Sequence, residues 1–187
     1  LILLEMLLLI ELFLANVIAL LEISIATPFA FFNSFYGPLL GADADALRFH
    51  ETAISISKGE EPFDAGTGWI YASILGKIYQ YSFSSIFFGS LISIFAWSIS
   101  AILLIKMLNI IKIKKSFEYI FLSLYSFWPS VLIFTSITLR ESYQLLFFNL
   151  VIFCFLKVFI EKKINYSYLL FFSLVSLSLL HKVFILF

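Results

Sequence analysis

The chain has 187 residues, of which 62% are hydrophobic and 19% aromatic, with 24 phenylalanines and a formal net charge of zero. That apolar load is far above what a soluble domain of this length can bury, so the composition points to an integral membrane protein. The basic residues are dispersed, which argues against nucleic acid as a partner, and the one cysteine, Cys154, sits in an apolar run that supports neither a disulfide framework nor a thiolate metal site.

The first apolar run, Leu3 to Ala26, has no basic flank and is about as long as the ~20 residues needed to cross the hydrocarbon core. It reads as a retained span and not as a cleaved signal. Glu11 and Glu22 fall about 20° apart in helical phase, so they share a face, one expected to look into the bundle or a wet cavity. Four further runs follow: Ser84 to Ile105, Phe117 to Ile137, Ser142 to Ile160 and Tyr166 to Phe187. Lipid offers backbone groups no partner, so each crossing should be a helix, and the alternation of a β-barrel is absent. The expectation is an all-α polytopic membrane helix bundle of about five spans, one domain over 1–187. Trp128-Pro129 should kink the third span. The chain starts at Leu1 and stops at Phe187 within an apolar run, as expected of a piece of a longer protein.

Lysines orient the bundle, because short cytoplasmic loops collect positive charge. Lys106, Lys112, Lys114 and Lys115 mark one inner loop, and Lys157, Lys162 and Lys163 the next. The amino terminus is then cytoplasmic, and an extracytoplasmic loop runs from Thr27 to Ser82 (27–82). Asp43, Asp45, Arg48, His50 and Glu51 in that loop, Arg140 and Glu141 in a short turn, and His181 with Lys182 near the end of the last run all fall on the outer side. Two amphipathic helices are expected in the loop. The first covers Asp45 to Ser57, with Asp45 as N-cap and Asp45, Arg48, Thr52 and Ser55 as a polar stripe. The second covers Gly68 to Tyr81, whose Trp69, Tyr71, Tyr79 and Tyr81 suit the headgroup level.

A carboxylate beside an apolar surface is suited to take a proton from a hydroxyl during group transfer, which makes Asp45 and Asp43 candidates. Each also has a plain structural reading, a helix cap for Asp45 and a solvated loop acid for Asp43. The pair Asp43-Ala44-Asp45 can also hold a divalent cation, although two acids alone are a weak ligand set. Arg140 presents a planar fork to a phosphate, or it snorkels and pairs with Glu141. His181 and Lys182 divide in the same way between substrate contacts and packing.

The string Asp45-Ala46-Leu47-Arg48-Phe49-His50-Glu51-Thr52-Ala53, followed by Lys58-Gly59, resembles the first outer loop of lipid-linked-sugar glycosyltransferases of the GT-C type. Protein mannosyltransferases and lipid A aminoarabinose transferases share the pattern of an Asp, an Arg three later, an aromatic four later, a Glu six later and a small residue eight later. Gly68-Trp69-Ile70-Tyr71 through Gly76-Lys77-Ile78-Tyr79, Trp128-Pro129-Ser130 through Ser136, and Leu139-Arg140-Glu141-Ser142 are similar to the same superfamily. The chain departs from it in having five spans where seven or more are usual. The resemblance implies a transferase that draws a sugar from a polyprenyl-phosphate-linked donor and passes it to a glycan, lipid or protein acceptor. Asp45 is then the base, Arg48, Glu51, Arg140 and Glu141 fall in the matching segments as substrate contacts, and the setting is a bacterial inner membrane; Asp43, which has no counterpart in the pattern, and His181 and Lys182 join the expected substrate contacts through their place on the outer side. No cofactor is firmly implied, because some members use paired acids and a metal and many use none. A polysaccharide repeat-unit polymerase and a non-enzymatic transporter or scaffold are the competing readings; neither a repeat nor Gly-interrupted spans favour the transporter.

Overall fold

The computed structural model describes residues 2–37, 43–61 and 68–180, and every regular element among them is a helix. In chain order these are α1 (Ile2–Phe35), α2 (Asp43–Lys58), α3 (Trp69–Tyr81), α4 (Ile86–Ile110), α5 (Lys115–Phe127), α6 (Pro129–Thr135), α7 (Glu141–Phe159) and α8 (Tyr166–Leu180). Three of them are long and apolar enough to cross a membrane, and a fourth crossing is added if α5 and α6, bent by 53° at Trp128-Pro129, count as one span. The bend is the expected proline kink: Pro129 has no N–H to give the preceding turn and opens a new helix at its first position.

α4 is the central staff. Near its start, Phe88 and Ile92 pack in a layer with Tyr143 and Phe147 of α7 and Leu180 of α8. Near its end, Leu103 and Met107 pack with Phe153 and Cys154 of α7 and with Tyr166 and Leu170 of α8. Hence α4 and α7 run in the same direction, α8 returns beside them, and the lysine-rich turns after α4 and α7 share one end of the bundle. At that end Lys115 pairs with Glu118 at 2.8 Å, and Glu161 sits between Lys157 at 2.8 Å and Lys163 at 2.7 Å.

α1 runs antiparallel to α4 and continues past Ala26, where the first span was expected to stop, to Phe35. Pro28 removes one backbone donor, a change that costs about 3 kcal/mol in an isolated helix interior. Burial offsets it here, because fully buried Ala26 and Ala30 let α1 lie flat on Ile94 and Trp97 of α4.

α2 and α3 form the expected pair of amphipathic helices across the other end. Gly76 makes the close crossing possible: a Cβ there would stand 2.9 Å from the carbonyl oxygen of Ala53 and from Ile56 Cβ. The outer face of α3 shows Trp69, Ile74 and Tyr81 around a shallow open groove, the pattern of a helix lying at a membrane surface. α2 is more deeply covered than a surface stripe allows. Ala46, Phe49, His50, Thr52 and Ala53 are all buried, an arc of about 160° at 100° per residue. Thr52, 0% exposed, therefore leaves the polar stripe in which the alternation put it, because α3 and the turn before α7 cover α2 from two sides.

Candidate functional site

α2 begins at Asp43, two residues earlier than its pattern suggests, so Asp45 lies inside the first turn and is not the N-cap. An acid there still meets the positive end of the helix dipole. Its side chain is exposed, as is that of Glu51, while Arg48 is half-buried. Phe49 follows Asp45 by four residues and so stands about 40° away on the same side of α2, one turn inward. Its ring meets Tyr71 edge-on, with centroids 5.3 Å apart. It also rests on Gly68, where a Cβ would come within 2.0 Å of Phe49 Cε1, so glycine is required at that contact.

Arg140 reaches this place from the other side. The turn before α7 is anchored by Ile137 and Leu139, both buried in the cluster that holds Ala46, Phe49, Tyr71 and Leu75. A tight bond from Leu139 N–H to the Ile137 carbonyl, 2.8 Å, fixes its course, and Thr138 Oγ1 donates to the Ile86 carbonyl at 3.0 Å while Ser90 contacts it at 3.1 Å. Arg140 then lies over the Phe49 ring, with its guanidinium carbon 5.9 Å from the centroid. Glu141 opens α7, where the helix dipole favours it, with its Oε1 3.9 Å from Arg140 Nε. So the fold brings the α2 string and the Arg140-Glu141 turn together. Beside them, α6 and α7 enclose a groove of about 360 Å³ walled by Val131, Phe134, Leu145 and Phe148, with Glu141 and Gln144 on its border. Gln144 Nε2 is buried there without a hydrogen-bond partner.

His50 has a structural assignment that the sequence did not signal. Tyr79 Oη donates its single proton to the Ser85 carbonyl at 3.0 Å, so the 3.0 Å contact with His50 Nδ1 requires the imidazole to donate. Desolvation lowers the His50 pKa below the ordinary histidine value, the nearby Glu51 charge opposing it. Burial, with Tyr143 nearby, pushes the Tyr79 phenol well above the ordinary tyrosine value. The chain is thus a neutral link between α2, α3 and the start of α4.

The side chain of Asp43 and the whole of His181 and Lys182 lie outside the described residues. Among the described residues no three His, Cys, Asp or Glu side chains gather closely enough to hold a metal ion. Two buried acids lie away from the α2 end: Glu118, engaged by Lys115, and Glu22, whose inward facing its helical phase predicts. Compared with protein-family models, curated proteins and solved structures, the chain matches none of them.

Proposed function

We propose that the protein is a membrane glycosyltransferase that moves a sugar from a polyprenyl-phosphate-linked donor to an acceptor hydroxyl, at the membrane face bearing α2 and α3. The observation that supports this reading is Arg140 lying over Phe49, one turn inward from Asp45 on the same side of α2. One carboxylate and one guanidinium therefore border the same apolar end of the bundle. Asp45 takes the acceptor proton as the acceptor oxygen attacks the sugar's anomeric carbon with inversion. The bond from that carbon to the phosphate oxygen breaks, and Arg140 offsets the charge gathering on the departing lipid phosphate. The groove between α6 and α7 has the apolar walls to take part of the prenyl chain.

Within this reading the bundle makes five crossings. α8 supports the fifth, since it runs from the layer of Phe153 to that of Leu180 alongside α7. The lysine-rich turns face the cytoplasm and α2 and α3 the extracytoplasmic side of a bacterial inner membrane, in keeping with the positive-inside bias.

The test is sugar transfer by the full-length protein in proteoliposomes supplied with a polyprenyl-phosphate sugar. Asp45→Asn should lower kcat about 10²–10⁴-fold with little change in donor KM, the range for loss of a general base. Undiminished transfer would remove Asp45 from the role, and no transfer by the unaltered protein with any such donor would remove the activity.

A further inference from the structure

α1 carries an acid that the site at α2 does not use. Glu22 lies within the membrane-crossing part of α1 and is 2% exposed. Ser126 Oγ of α5 donates to its Oε1 at 2.5 Å, while Oε2 is buried and has no hydrogen-bond partner. α1 and α5 both pack on α4, through Ile18, Ile105 and Leu122, and leave a groove of about 270 Å³ between them. Glu22, Ser123 and Ser126 are its polar lining among otherwise apolar and aromatic residues.

No ion-pair partner faces Glu22 among the described residues. From α5 the titratable neighbours are Tyr119, which lines the groove, and Tyr125, which donates to Ser100 at 2.7 Å. Glu118 of α5 is held by Lys115 at 2.8 Å. α4 contributes Trp97 and Ser100, and α6 packs there through Val131 and Leu132, none of them titratable. An uncompensated carboxylate in hydrocarbon costs several kcal/mol or more, so the acid needs a proton or a counter-ion that the described residues do not provide.

We infer that Glu22 and Ser126 form a proton-binding site inside the membrane, open through the groove between α1 and α5. Because Ser126 already donates to Oε1, the proton sits on Oε2, the oxygen without another partner. The site stands apart from sugar transfer at α2 and gives the bundle a protonation step of its own.

A hydrophobic carbodiimide, N,N′-dicyclohexylcarbodiimide, tests it on the full chain in liposomes. The reagent adds to a protonated carboxyl: the acid proton goes to one carbodiimide nitrogen and a carboxyl oxygen bonds the central carbon. The adduct then shifts its acyl group from oxygen to nitrogen to give a stable N-acylurea, with nothing expelled and nothing oxidised. Peptide mass spectrometry should find the adduct on Glu22, absent in Glu22→Gln. Labelling should fall about tenfold per pH unit once the medium is alkaline enough to ionise the acid. No adduct on Glu22 in the folded protein, when the denatured protein is labelled there, would overturn the proposal. So would protection by sodium chloride but not choline chloride, which would make the occupant a sodium ion.

Discussion

Arg140 lies over the ring of Phe49, 5.9 Å from its centroid, and this contact joins the turn before α7 to the helix that carries Asp45. The same ring also meets Tyr71 edge-on and rests against Gly68. Phe49→Ala should therefore lower stability by about 3–5 kcal/mol, the range for a buried phenylalanine, and Arg140→Ala by about 0.5–2 kcal/mol, the range for a cation over an aromatic face. Unfolding midpoints in detergent measure both, and equal losses would mean that the ring's packing is not what holds α2 down.

Gly76 should tolerate no side chain. A Cβ would press on the Ala53 carbonyl and on Ile56 Cβ, parts of α2 that yield only if the helix moves, so Gly76→Ala should cost about 1–3 kcal/mol. The displaced α2 should also expose position 52. Maleimide labelling of Thr52→Cys should be slow in an otherwise unaltered protein and fast beside Gly76→Ala, whereas Ser73→Ala on the outer side of α3 should leave it slow.

The docking of α2 on α3 should weaken in acid. Desolvation lowers the His50 pKa, so as pH falls below about 6.5 the unfolded chain takes up protons before the folded one does. Stability is full above that pH and declines below it, by at most about 1.4 kcal/mol per pH unit from this group. His50→Gln should flatten the curve, and an unchanged slope would assign it to another residue.

In the middle of the bundle Asn149 Nδ2 and Tyr125 Oη each donate to Ser100 Oγ at 2.7 Å, tying α7 and α5 to α4. Asn149→Leu keeps the volume and removes the amide, and should cost about 0.6–2 kcal/mol, in line with hydrogen bonds between membrane helices. A more stable variant would mean that the site is better packed dry.

Local chemistry made α2, α3 and the kink at Pro129 legible. Alternating polarity, the flanking glycines and a missing N–H are properties of short windows. The course of α1 past Pro28 was not, because it rests on Ala26 and Ala30 meeting Trp97, about seventy residues away in the chain. Thr52 is buried for a related reason: helical phase tells which residues share a face, not how many neighbours cover it. The approach of Arg140 to the α2 string was legible as shared sidedness, but the contact itself depends on Phe49, whose role as a platform requires Gly68 and Tyr71 in place. Likewise, the link from His50 to Tyr79 spans two helices and carries no sequence mark.

The claim that Asp45 and Arg140 serve one reaction is tested most directly by kcat/KM for sugar transfer in Asp45→Asn, Arg140→Ala and the double variant, measured in proteoliposomes. Two groups acting on one transition state should not be additive, so the double variant should lose clearly less than the product of the two single losses. Single variants as active as the unaltered protein, or losses that multiply in full, would contradict it.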